Sequence, residues 1–137
     1  MNFSRVGSLV VLGLAAAGIL AAAPHRASEA DTKPAEAARL NNIGVAYMNQ
    51  QLFEKALKQF EAASAQDPSL TIARLNRGVA LLNLQKVDEA KTLLEGVIKQ
   101  DPKNPHAWYN LGLYYKNTNE TDKAADAFKH VTEIDPQ

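Results

Sequence analysis

From Leu40 onward, apolar residues recur three and four positions apart. Leu40, Ile43, Gly44 and Tyr47 form one set, and after a polar break at residues 49–51 come Phe53, Ala56, Leu57, Phe60 and Ala63. This spacing puts the apolar side chains on one face of an α-helix, so the stretch predicts two amphipathic helices joined by a short polar turn. The same alternation returns with Leu75, Gly78, Val79 and Leu82 followed by Val87, Ala90, Leu94 and Val97, and again with Trp108, Leu111, Gly112 and Tyr115 followed by Ala124, Phe128 and Val131.

The three pairs share one register. Gly44, Gly78 and Gly112 stand 34 residues apart, as do Ala56, Ala90 and Ala124, and Pro68, Pro102 and Pro136. A fixed period of this length means a stacked array of like units. Each unit closes on Asp-Pro, at residues 67–68, 101–102 and 135–136. A helix ends there because the residue before a proline is pushed out of helical geometry. Ser69 and Asn104 are the expected N-caps of the following helices, with Pro105 suited to a first helical position.

A glycine within a helix costs about 1 kcal/mol relative to alanine. Three of them at one repeat position therefore predict a close approach of the two helices of a unit. The alanines at 56, 90 and 124 are expected opposite the glycines, with Phe60, Leu94 and Phe128 filling the space between neighbouring units.

Taken together, these residues resemble the tetratricopeptide repeat, whose pattern is W-x2-L-G-x2-Y followed by Ala, Phe, Ala and Pro. The third unit is the nearest match, through Trp108, Leu111, Gly112, Tyr115, Ala124, Phe128 and Pro136. The first has Leu40 for the tryptophan and otherwise Ile43, Gly44, Tyr47, Ala56, Phe60, Ala63 and Pro68. The second departs most, with Arg74 and Arg77 at the tryptophan and leucine positions beside Gly78, Leu81, Ala90, Leu94, Val97 and Pro102. The resemblance implies an all-α, right-handed superhelical stack of three helix-turn-helix repeats, at residues 37–70, 71–104 and 105–137. It specifies the fold far more than the function, since one fold hosts many functions.

A different kind of segment precedes the repeats. Arg5 is followed by an uncharged run from Val6 to Ala23 and then by small residues, the layout of a secretory signal. A cut after Ala23 would leave Pro24 directly behind it; a cut after Ala30, preceded by Ser28, is preferred. Residues 1–30 are thus expected to be a signal peptide and the protein periplasmic or secreted. An uncleaved inner-membrane anchor stands as the alternative, because the run touches the lower limit for a membrane span. Residues 31–36, in a stretch rich in Ala, Pro and charges, are expected to be a flexible linker.

Composition adds exclusions. The chain has no cysteine, so neither disulfides nor thiolate metal sites are open to it. Loss of Arg5, Arg26 and Glu29 with residues 1–30 turns a balance of 15 basic and 15 acidic residues into one acidic in excess. A nucleic-acid or anionic-membrane surface needs the opposite. His25, His106 and His130 are far apart, and no phosphate-binding loop, dinucleotide fingerprint or nucleophile elbow occurs. No cofactor, metal or catalytic activity is expected. Asn119-Glu120-Thr121 has the form of a glycosylation sequon, but reads first as a polar turn with Thr121 at a helix start.

What the resemblance implies for function lies on the first helix of each unit, which in this family lines a concave groove. The matching positions include Asn42 and Val45 in the first unit, Ile72, Leu75, Asn76, Val79 and Leu82 in the second, and His106, Tyr109, Asn110 and Leu113 in the third. Asn42, Asn76 and Asn110 form a row at the repeat period, as do Asn49, Asn83 and Asn117. Amides in a row offer donors and acceptors to an extended backbone whatever its sequence, although local bonding is an equally open use of them. The apolar set would favour a partner carrying apolar side chains. The basic clamp of chaperone-tail receptors is not reproduced: Asn41, Val45, His106 and Asn110 replace its charged and amide residues, and Asn76 alone fits.

The expected function is that of a non-catalytic exported scaffold binding a peptide or protein segment. The alternative is a structural or oligomerisation segment, read as the N-terminal part of a larger exported protein. In that reading Phe128 and Val131, on the outer side of an uncapped third repeat, serve self-association.

Overall fold

The structure, a computed structural model, describes residues 29–136, with side chains from Thr32 onward. The signal peptide or anchor expected before them lies outside the described residues. Six helices follow in order: α1 (Glu29–Asn49), α2 (Phe53–Gln66), α3 (Thr71–Asn83), α4 (Val87–Gln100), α5 (Pro105–Asn117) and α6 (Thr121–Ile134). None is long and apolar enough to cross a membrane.

Residues 31–36, expected as a linker, are the first turns of α1 instead. Composition misled here because alanine, lysine and glutamate mark linkers and are also strong helix formers. Glu36 and Arg39 add an i,i+3 ion pair, and the segment leads directly into Ala37, which is fully buried. Pro34 lies within this helix. The preferred cut after Ala30 falls in its first turn.

Within each unit the two helices are joined by the same turn. Gln51, Gln85 and Asn119 all take left-handed backbone, with φ of 58°, 60° and 61°. The next residue in each case donates its N–H five positions back, Leu52 to the carbonyl of Tyr47, Lys86 to Leu81 and Glu120 to Tyr115, at 2.8–2.9 Å. This is the hydrogen-bond pattern of the Schellman ending, which normally places glycine at the left-handed position. At the other junction, Asp67, Asp101 and Asp135 leave the helix with φ near −130°, as their following prolines require. Asn104 caps α5 by accepting the Ala107 N–H at 3.0 Å. Ser69 does not cap α3: its N–H and hydroxyl both bond back to Asp67, and Leu70 takes the cap position with no side-chain bond.

Stacking follows a simple rule. Each first helix touches its own second helix, α2 packs on α3 and α4 on α5, and the first helices also meet one another, α1 with α3 and α3 with α5. Second helices of successive units do not meet. An array whose first helices are close and whose second helices splay must curve, with α1, α3 and α5 on the inside. The largest fully buried side chains are Phe60, Leu81, Leu94 and Val97. Among the described residues the architecture is an all-α solenoid.

The repeated glycines correct one expectation. A β-carbon on Gly44 would lie 2.7 Å from Cδ1 of Phe60 and closer still to Cε1, and one on Gly112 would lie 2.6 Å from Cε1 of Phe128. The aromatic ring, rather than an alanine, occupies the room each glycine leaves, between the helices of its own unit. Phe60 also joins a cluster with Ala56 and with Ala80 of the next unit, so it spans both junctions. Gly78 is looser, facing Leu94 at 3.2 Å with the carbonyl oxygen of Ala90 at 3.7 Å.

Candidate functional site

On the inner side, α3 and α5 enclose two adjoining cavities. One, of about 300 Å³, is lined by Ile72, Leu75, Asn76, Val79, His106 and Asn110. The other, of about 340 Å³, is lined by Val79, Leu82, Asn83, Gln85, Asn110, Leu113 and Asn117. Val79 and Asn110 belong to both, so the two form one continuous groove. Its lining contains no lysine, arginine or carboxylate, and His106 is its one titratable side chain.

The residues expected in the groove do not all contribute alike. Ile72, 44 % exposed, and the half-buried Val79, Leu82 and Leu113 present apolar surface. Leu75 is a core residue at 3 % exposure, clustered with Leu94, Val97 and Ala107; it reaches the groove only as floor. Tyr109 lines neither cavity, and its ring tilts onto Phe128 at 5.8 Å between centroids. Asn42 and Val45 are exposed on α1 but line neither cavity.

The asparagine row is likewise uneven. The Asn76 amide donates to Oδ1 of Asn41 at 2.9 Å, tying α3 to α1. The Asn110 amide donates to the His106 carbonyl within its own helix at 2.8 Å. Each retains its amide oxygen and a second N–H for another partner. In the second row, Asn83 bonds the Val79 carbonyl of its own helix. Gln85 enters the groove unannounced by the apolar pattern. Its one signal in the sequence is membership of the polar row Gln51, Gln85 and Asn119, where the left-handed turn re-aims the side chain.

The second unit departs from the pattern in a consistent way. Arg77 reaches back to Glu61 of the first unit at 3.4 Å, and its Nε is buried without a hydrogen-bond partner. Arg74 bonds Gln100 and lies over Gly96, where a β-carbon would meet its guanidinium at 3.4 Å. One period later, Trp108 stacks on His130 at 4.0 Å. Arginine over glycine in one unit thus replaces tryptophan over histidine in the next.

The sequence profile of the tetratricopeptide repeat matches residues 41–90 and 75–137. No curated protein matches the chain by sequence. Among solved structures, the Arabidopsis OM64 TPR domain is 21 % identical with a TM-score of 0.74, over 77 % of this chain and 87 % of that one. The second TPR of Spaghetti (RPAP3), solved with an HSP90 peptide, is 21 % identical with a TM-score of 0.73, over 79 % and 93 %. The Sgt2 TPR domain from Aspergillus fumigatus is 25 % identical with a TM-score of 0.70, over 74 % and 68 %.

Proposed function

The chain belongs to the tetratricopeptide repeat family, and we propose that it is a non-catalytic, exported protein-binding scaffold whose α3–α5 groove takes an extended, uncharged segment of a partner. The observation that carries this is the continuous groove itself. Each wall is one helix on which apolar and amide side chains alternate, Ile72, Asn76, Val79, Leu82 and Asn83 on α3 and Asn110, Leu113 and Asn117 on α5, and its lining has no formal charge other than any on His106. Such a lining rewards apolar side chains and free backbone groups and gives an acidic tail no cation to bond. The RPAP3 domain with its HSP90 peptide illustrates peptide binding on this fold, but the charge-free lining here favours a different partner chemistry. Export rests on the amino-terminal pattern of Arg5 and the apolar run behind it.

Panning a random peptide library on the full chain tests this. Enriched peptides should be rich in apolar residues and poor in acidic ones. They should lose binding when Val79→Glu and Leu113→Glu are introduced together without loss of helical circular dichroism. Enrichment that ignores this double variant sinks the groove reading. Cell fractionation with amino-terminal sequencing tests the location: recovery outside the cytoplasm with the amino-terminal segment removed is expected, and an intact chain in the cytoplasmic fraction refutes export.

A second reading is favoured by one specific comparison. Asn41 and Leu75 are 7 % and 3 % exposed, whereas Tyr109 at the same repeat position is 49 % exposed. Phe60 and Leu94 are fully buried, whereas Phe128 is only half-buried. Tyr109 and Phe128 thus leave apolar surface exposed on the third unit among the described residues, and self-association through it is the alternative. Sedimentation of the parent beside Phe128→Glu separates the two readings, since groove binding does not require this face.

A further inference from the structure

The outer side of the third unit holds a cavity that the groove does not use. It measures about 300 Å³ and lies between α5 and α6, walled by Trp108, Leu111 and Tyr115 and edged by Asp122, Lys123, Asp126 and Ala127. Its origin is visible in the repeat. Ala127 stands one period after Leu93, and the smaller side chain leaves room beneath the tryptophan.

Its walls are held in place before any ligand arrives. The Trp108 indole N–H donates to the Pro102 carbonyl at 2.9 Å, and one indole face is stacked on His130. The rim carries uncompensated negative charge. Lys123 is bonded to Glu120 and lies over the Tyr115 ring at 5.4 Å, so its charge is already engaged. Among the described residues the Asp122 side chain makes no ion pair or hydrogen bond, and the nearest basic group to Asp126 is His130, at 3.9 Å. Asp122 and Asp126 are four residues apart on α6 and so lie on one side of that helix.

We propose that this cavity is a receptor for a single arginine side chain of a protein partner. A guanidinium is planar and weakly hydrated, stacks on aromatic rings and bonds carboxylates through two N–H groups at once. An aromatic wall beside Asp122, unpaired among the described residues, and Asp126, whose ion-pair neighbour is His130 at the long distance of 3.9 Å, complements each of these properties. The volume of about 300 Å³ is enough for one long side chain, so the site would act as a specificity anchor on the face opposite the groove.

Trp108 is the only tryptophan of the chain, so its fluorescence reports on the cavity directly. The full chain is titrated with acetyl-Gly-Arg-Gly-amide, with its citrulline counterpart, which keeps the shape and loses the charge, and with its lysine counterpart. The expected result is a saturable change with the arginine peptide, at least tenfold weaker with the other two and weakened by added salt. Asp122→Asn with Asp126→Asn should weaken it at least tenfold while far-ultraviolet circular dichroism stays unchanged. Ala127→Leu, which restores the side chain of the second unit, should abolish it with both carboxylates in place. A response equal for citrulline or lysine, one unaffected by these variants, or none at all overturns the proposal.

Discussion

The ring of Phe60 occupies the space where a β-carbon of Gly44 would be, and the same relationship recurs one unit on, far more loosely, between Leu94 and Gly78. Gly44→Ala should therefore destabilise the chain by about 1–3 kcal/mol, the usual cost of overpacking. At Gly78 the contact is 3.2 Å, and the better helix propensity of alanine, about 1 kcal/mol, offsets it. Gly78→Ala should fall within about 1 kcal/mol of the parent. Urea unfolding of both variants decides this, and equal losses would refute the ring-over-glycine account.

Phe60 and Phe128 are the same residue at the same repeat position, and they differ in cover. Phe60→Ala should cost about 3–5 kcal/mol, as for a fully buried aromatic. Phe128→Ala should cost roughly half as much, because part of its surface is already in water. Thermal melts of the two variants make the comparison, and a larger loss at Phe128 would mean that its open side is covered in solution.

Gln51, Gln85 and Asn119 hold a backbone geometry that disfavours side chains. Relief of that strain is worth about 1 kcal/mol. Gln85→Gly should raise stability by up to that amount, reduced by the greater freedom of glycine in the unfolded chain. A drop of similar size in urea unfolding would show that the side chain, and not the turn, matters for stability there.

Arg77 stands where the third unit has Leu111, which is 4 % exposed. Its partly buried pairing with Glu61 leaves Nε unsatisfied. A pair this exposed contributes about 1 kcal/mol or less, and an apolar side chain at a position that buries leucine in the third unit offsets its loss. Arg77→Leu together with Glu61→Gln should be at least as stable as the parent, and a loss above about 1 kcal/mol would assign the ion pair a real share in joining the first two units.

The hydrogen bonds from Lys123 and then Thr118 hold the Glu120 carboxyl below the ordinary glutamate range, and Glu120 in turn raises Lys123. A depressed carboxyl contributes stability above its ordinary range and loses it as pH falls through the folded value. The raised lysine contributes below its ordinary range and loses it as pH rises through its own folded value. In an NMR titration, Lys123→Met should move the Glu120 midpoint upward, and 1 M salt should do the same to a lesser degree. No movement would show that the pair does not form in solution.

The chain's own residues determined the six helices, their order and the period, because the apolar spacing, the helix-ending Asp-Pro pairs and the glycine at one fixed register all point to one answer. Asn104 and Pro105 likewise announced their cap. Residues 31–36 were legible only as composition, and what decided between linker and helix was the continuation into a buried Ala37. The tertiary structure also decided which candidate groove residues face the groove. Leu75 and Tyr109 share a repeat position, yet one lies in the core and the other is half exposed, since Ala107 of the third unit packs on Leu75 whereas Tyr109 meets Phe128 of its own unit. Asn76 and Asn110 share one too, yet one reaches α1 and the other its own helix. Periodicity assigns a residue to a face of its helix. What that face meets depends on the neighbouring helices, and the repeat pattern carries no record of it.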